Sequence, residues 1–145
     1  MTTDGNAQAS APWHLWVIGV LTLLFNAMGI LSYMTTQLGM LAEMGMTPEQ
    51  IAFMESFPAW STAFWALGVW GAFAGSVLLL LRSRWAVAAM VVALIGLVGT
   101  TIAETVVLDV PAGLETPLPL KVAIWGVTLG LSFYARRMAQ AGVLR

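Results

Sequence analysis

The chain has 145 residues, of which 59% are hydrophobic and 9% are charged, with a formal net charge of −1 and no cysteine. Soluble domains carry about a quarter charged residues, so this composition excludes a soluble globular domain and a disordered segment. It also excludes a disulfide scaffold and an electrostatic binder of nucleic acid. The composition is typical of an integral membrane protein.

Four apolar runs are long enough to cross a bilayer, which takes about 20 apolar residues in a helix. We predict one all-α membrane domain over residues 1–145, folded as an antiparallel four-helix bundle. The first run is expected to be a retained span and not a cleaved signal, because residues 1–12 contain no Lys or Arg. The predicted spans cover about 13–35, 58–81, 85–108 and 118–135.

The charges outside the spans predict an orientation. Five of the six cations would lie on one side of the membrane: Arg82, Arg84, Arg136, Arg137 and Arg145. The acids that flank the spans would lie on the other side: Glu43, Glu49, Glu55, Asp109 and Glu115. Because cations favour the cytoplasmic side, both termini are predicted to be cytoplasmic, with the chain in a bacterial inner (plasma) membrane.

The loop after the first span contains a helix signal. Thr47-Pro48-Glu49-Gln50 combines a capping Thr, a Pro at the first helical position and a Gln three residues after the cap. The apolar residues of 51–55 favour a short interfacial helix on the periplasmic surface, which Phe57-Pro58 would end. A connector that shields the bundle is the expected role, with recognition as the alternative.

Small residues at helical spacing predict close packing between the spans. Helices in lipid associate through close backbone approach and interhelical hydrogen bonds, since lipid is as apolar as Leu. The second span contains Ser61 and the packing residues Gly68, Gly71 and Gly75, and the fourth contains Gly126 and Gly130. Either GxxxG pair could face its own bundle or a second subunit.

Glu104 and Lys121 are the only charged residues inside the predicted spans. An ion pair between them is the favoured interpretation, because pairing is how membranes usually tolerate a buried charge. The alternative is a proton or cation site at Glu104, with a polar seam of Asn26, Thr100 and Thr101 as further ligands. Helix rise places Asn26 and Thr100 at the same depth, so we predict a direct contact between them.

No catalytic constellation is present. The sequence contains no P-loop, no paired carboxylates, no nucleophile elbow and a single histidine, His14, so we expect neither an enzyme nor a cofactor. Thioethers can bind copper(I), and the only metal candidate is the methionine group Met40, Met44 and Met46. Since Met is more often a flexible packing residue, we expect no metal site.

Several segments resemble a small family of four-span proteobacterial inner-membrane proteins over about 12–110. They are Leu24–Gly29, Tyr33–Gln37, Met46–Gln50, Phe57–Trp60, Trp65–Gly71 and Gly75–Arg82. Members of that family usually have Asp-Tyr where this chain has Ser32-Tyr33, so the resemblance implies that an acid is missing here. Members often carry the label "sugar transporter", which implies transport without assigning site residues.

Two functional hypotheses follow from these observations. The first is a non-enzymatic interaction protein in the lipid bilayer that self-associates or serves as an accessory subunit of a larger membrane complex. The second is an oligomeric transporter of a small solute or ion that uses Glu104. Four helices are few for a single-chain carrier, so transport would need an oligomer.

Overall fold

The computed structural model describes residues 10–110, 113 and 115–145, and within these ranges the chain is all-α, as predicted. Of the N-terminal tail predicted to be cytoplasmic, residues 1–9 lie outside the described ranges. The helices are α1 (Trp13–Gln37), α2 (Pro48–Glu55), α3 (Ala59–Leu80), α4 (Trp85–Ile102) and α5 (Leu118–Gln140), and α4 continues into a π-helical segment (Ala103–Val107).

Four of the helical segments are long and apolar enough to cross a membrane: Trp13–Gln37, Ala59–Leu80, Trp85–Val107 and Leu118–Gln140. They agree with the predicted spans to within two residues, except that α5 extends five residues past the predicted end at 135. The extension contains Arg136 and Arg137, which are exposed and do not interrupt the helix. Length and composition therefore support a multi-pass membrane protein.

The closest packing in the molecule joins α3 to α4. A Cβ atom added to Gly71 would lie 2.8 Å from the backbone nitrogen of Ala93, and one added to Gly96 would lie 2.1 Å from that of Gly68. Gly75 is buried against Met90. The predicted packing residues of the second span thus lie inside the protein, where the absence of side chains lets the two backbones approach.

The other two long helices flank this central pair. Helix α1 packs on α3, with Gly19 against Leu80 at one end and the Tyr33 ring edge-on to Trp65 at the other. Helix α5 packs mainly on α4. Helices α1 and α5 meet at one end only among the contacts described, where Nδ1 of His14 is hydrogen-bonded to the Tyr134 hydroxyl.

That same end of the molecule is closed by a buried apolar cluster, which includes Leu15, Leu79, Leu131, Ala135 and Leu144. The C-terminal residues join the cluster because they pair with the turn between α3 and α4. The Arg84 amide donates to the Arg145 carbonyl at 2.6 Å, and the Arg145 amide donates to the Arg82 carbonyl at 2.7 Å. We refer to this as the closed end, and to the opposite end, which contains Glu104, as the open end.

Helix α2 forms as the capping signal predicts. The Thr47 side chain accepts from the Gln50 amide at 3.3 Å, and the Gln50 side chain accepts from the Thr47 amide at 2.9 Å. None of its residues is fully buried. Its aromatic residue Phe53 packs edge-on against Phe57, and both line the space toward the open end of the long helices.

Candidate functional site

A cavity of about 470 Å³ lies between the long helices toward the open end. Side chains from α1, α3, α4 and α5 line it, and Phe53, Met54 and Phe57 line it from α2 and the segment that follows. Its walls are mostly apolar, and its size lies within the range of about 300–1,000 Å³ that is usual for ligand sites. The cavity is therefore the principal candidate for a functional site.

The predicted ion pair lies on the lining of this cavity. Nζ of Lys121 is 3.5 Å from Oε2 of Glu104, and the two side chains are 30% and 23% exposed. The other carboxylate oxygen, Oε1, accepts a hydrogen bond of 2.5 Å from the Thr116 hydroxyl. The predicted contact between the two charges is therefore present, and both oxygens of Glu104 have a partner.

Glu104 lies in the π-helical segment that ends α4. In this segment the Leu108 amide donates to the Ala103 carbonyl at 2.8 Å, five residues back. A π-turn inserts one residue into a helix and changes the direction of the side chains that follow, and such turns recur at functional sites. Here the turn occurs where the only charged group of α4 meets α5 and the loop before it.

Asn26 is one of the two buried polar residues of α1, at 8% exposure. Its Nδ2 donates to the Ser76 hydroxyl at 2.8 Å and to the Ala72 carbonyl at 3.1 Å, both on α3. The amide also lines the cavity, and Oδ1 has no hydrogen-bond partner among the residues that the structure describes. Asn26 thus fixes α1 to α3 with its nitrogen and leaves an acceptor oxygen unused.

The predicted direct contact between Asn26 and Thr100 is replaced by another arrangement. The hydroxyl of Thr100 donates to the Gly96 carbonyl of its own helix at 2.8 Å, and Thr101 donates to Leu97 in the same way. Asn26, Thr100 and Thr101 all line the cavity. The three residues of the predicted seam therefore line one cavity, but Asn26 bonds to α3 and Thr100 to its own helix, and no hydrogen bond joins the two within the described ranges.

Ser61 adds a second unpartnered polar group. It is 2% exposed, it lines the cavity, and its hydroxyl has no hydrogen-bond partner within the described ranges. Along α3 toward its start, successive residues meet later residues of α4: Gly68 lies against Gly96, and Phe64 lies against Gly99. One further turn brings Ser61 level with Ala103, next to Glu104.

The glycine pair of α5 lies elsewhere. Gly126 and Gly130 are exposed, and a Cβ atom added to either would have nothing within 4 Å. The two GxxxG pairs of the sequence therefore differ: the pair on α3 is buried inside the molecule, and the pair on α5 is on its outer surface.

The methionine group does not line the cavity. Met40 and Met44 are exposed, while Met46 lines a separate, smaller space beside α2 with Met54. Within the described ranges no cluster of three His, Asp or Glu residues is suited to a metal ion. The expectation that these methionines hold no metal stays untested.

Two residues of the site were missed by sequence reasoning. Ser76 accepts from Asn26, and its position four residues after Ala72 on the small-residue face was the available signal. Thr116 orients Glu104 from a loop, where no periodicity marks it. Its contact depends on how the chain returns from α4 to α5, which local sequence does not encode.

No family model, curated protein or solved structure matches this chain. The resemblance to a four-span proteobacterial family therefore stays a hypothesis.

Proposed function

We propose that this chain is a small, non-enzymatic inner-membrane protein, an antiparallel four-helix bundle that self-associates through the outer face of α5. The contrast between the two glycine pairs carries the proposal. Gly71 and Gly75 are buried against α4, whereas a Cβ atom added to Gly126 or Gly130 would have open space around it. Only the second pair is available to a neighbouring molecule.

The surroundings of this pair suit a helix–helix contact. Val122, Leu129 and Phe133 are 62%, 51% and 63% exposed around the glycines. Exposed glycines let a second backbone come close, and the larger side chains beside them add the van der Waals contact that drives association in lipid. A patch of this kind is self-complementary under a two-fold axis, so a second copy of the chain is the proposed partner.

The charges of α5 are compatible with this pairing. With both termini on the cytoplasmic side, a two-fold axis along the membrane normal would set two copies of α5 side by side in parallel. Arg136 and Arg137 would then lie at the aqueous ends, where salt screens their repulsion within about 8–10 Å. The Arg137 guanidinium lies over the Phe133 ring, 5.7 Å from its centre, which keeps that charge beside an aromatic face.

The mass of the purified protein in mild detergent, measured by native mass spectrometry, tests the proposal. We expect a homodimer for the natural chain and a monomer for the double variant Gly126→Leu, Gly130→Leu. Ala88→Leu, which adds a leucine side chain at an exposed position of α4, is the control and should stay dimeric. A mass that is unchanged in the glycine variant overturns the proposal. Stoichiometric co-purification with other proteins that survives this variant supports an accessory subunit instead.

Transport is a second candidate, and the cavity beside Glu104 is the observation that favours it. A carboxylate on the lining of a space between helices is the arrangement expected of a proton or cation pathway. Proton flux into vesicles that contain the purified protein, followed with a pH-sensitive dye, provides the test. Flux that is lost in Glu104→Gln supports transport, whereas a variant that changes stability in a protein without flux leaves the ion pair with a structural role.

A further inference from the structure

We infer that the cavity binds a neutral amphiphile with a terminal hydroxyl group, a long-chain alcohol in chemical terms. The hydroxyl would lie among Ser61, Thr100 and Thr101 toward the open end, and the chain would extend between α1 and α5. This inference does not rest on self-association, since the cavity lies within one copy of the chain.

The walls of the cavity favour an apolar body. Aromatic and aliphatic side chains from every helix line it, among them Phe25, Trp65, Leu97, Ile124 and Trp125. Burial of an apolar chain against such walls gains contact with fixed side chains, and about 470 Å³ is enough for one small ligand.

The polar groups of the cavity favour a ligand that carries a hydrogen-bond donor. The hydroxyls of Thr100 and Thr101 donate to backbone carbonyls at 2.8 Å, so toward a ligand they can only accept. A ligand that donates a proton can bond to these oxygens, whereas a ligand with acceptors alone cannot.

Ser61 completes this donor site. The residue is 2% exposed and lines the cavity, and its hydroxyl, which has no hydrogen-bond partner within the described ranges, can both donate and accept. An alcohol is the simplest group that matches such a set, because it donates to one oxygen and accepts from the serine at the same time.

The charge balance of the cavity favours a neutral ligand. Glu104 and Lys121 are the only charged residues on its lining, and they neutralise each other at 3.5 Å. A ligand with a net charge would have to break this pair or remain uncompensated, and both are costly away from water. A carboxylate or an ammonium group is therefore disfavoured against an alcohol.

The route into the cavity lies between the two flanking helices. Met28 of α1 and Leu120 of α5 both line the cavity and are 71% and 46% exposed, so the space reaches the surface there. The contact between α1 and α5 is at the closed end, where His14 meets Tyr134. A molecule dissolved in the surrounding lipid would enter sideways at the open end.

Quenching of tryptophan fluorescence by brominated probes tests the inference, because Trp65 and Trp125 line the cavity. The probes are 10-bromodecanol, 1-bromodecane and 10-bromodecanoate, added to the protein in lipid nanodiscs. We expect saturable quenching by the alcohol, and its loss in the double variant Trp65→Phe, Trp125→Phe, which would locate the probe. Equal quenching by the bromoalkane, tighter binding of the carboxylate, or quenching that does not saturate would overturn the inference.

A pair of serine variants supplies the chemical control. Ser61→Ala removes a hydroxyl that has no protein partner within the described ranges, so the fold should be retained, and we expect the alcohol to bind roughly fivefold more weakly, the equivalent of one neutral hydrogen bond. Ser132→Ala removes a hydroxyl that donates within its own helix, outside the cavity, and should leave binding unchanged. Equal affinities in both variants would contradict the assignment. The monomeric α5 glycine variant should bind as the natural chain does, which separates this test from that of self-association.

Discussion

The helices of this bundle pack closely on one side and leave a cavity on the other. Along α3 and α4, Gly68, Gly71 and Gly96 bring the backbones into contact, and a Cβ atom added to Gly71 or Gly96 would collide with backbone atoms. Helices α1 and α5 meet at the closed end, and a cavity of about 470 Å³ lies between the long helices toward the open end. We refer to the α3–α4 contact as the tight side and to the cavity with its lining as the open side.

The largest loss of stability should come from adding a side chain at the contact between α3 and α4. In Gly96→Ala the new Cβ atom would lie 2.1 Å from the Gly68 nitrogen and 2.6 Å from the Phe64 carbonyl oxygen, so the two backbones must separate. We expect a loss of about 3 kcal/mol, the upper part of the usual cost of overpacking. Unfolding by SDS in mixed micelles measures it.

Gly29→Ala is the matched control, because its Cβ atom would meet only the Val69 side chain, at 3.9 Å. We expect a change of less than about 1 kcal/mol, in the stabilising direction, since Ala favours helix over Gly. Equal losses in the two variants would mean that the α3–α4 contact is no tighter than the rest of the bundle.

The open side can be tested by breaking the ion pair. Glu104→Gln leaves Lys121 largely buried without its partner, and we expect a loss of about 2 kcal/mol, between the values for exposed and buried pairs. Adding Lys121→Met to this variant should restore part of the stability, because the uncompensated charge is removed. Additive effects in this double-mutant cycle, measured by the same unfolding assay, would contradict an energetic coupling between the two residues.

A smaller loss of stability is expected from removing the hydrogen bonds that join α1 to α3. Asn26→Ala removes the hydrogen bonds to Ser76 and Ala72 that join α1 to α3. Hydrogen bonds between membrane helices contribute about 0.6 kcal/mol on average, so a loss of about 1 kcal/mol is expected for the two. Thr36→Ala, which removes a hydroxyl bonded within its own helix, is the control. A loss no greater than in that control would show that α1 is held by apolar contact alone.

The smallest effect is local to α2. Thr47→Ala removes one half of the capping box, and caps contribute about 1 kcal/mol. Amide hydrogen exchange over residues 48–55 should become roughly fivefold faster, while the unfolding of the four long helices stays the same. Glu43→Gln, at an exposed position before the helix, is the control. Equal exchange in both variants would mean that contacts such as Phe53–Phe57 hold α2 without its cap.

Several features could be predicted because their causes are local. Hydropathy over about 20 residues located the four long helices, and the Thr47–Gln50 pattern located α2 with its capping box. The Glu104–Lys121 pair was predictable because two opposite charges on consecutive spans have few other partners. The π-helical segment and the contact of Thr116 were not predictable, since both depend on how the chain turns between α4 and α5.

The amino-acid sequence by itself determined that this is a multi-pass helical protein, where its helices begin and end to within a few residues, and which charges lie within them. Only the tertiary structure decided how each helix is rotated about its own axis. In water an apolar stripe reveals the buried face, but in lipid every face of a helix is apolar and periodicity loses that information. For this reason the GxxxG pairs of α3 and α5 look alike in the sequence, and their opposite placements, like the partners of Asn26, emerged only from the packing.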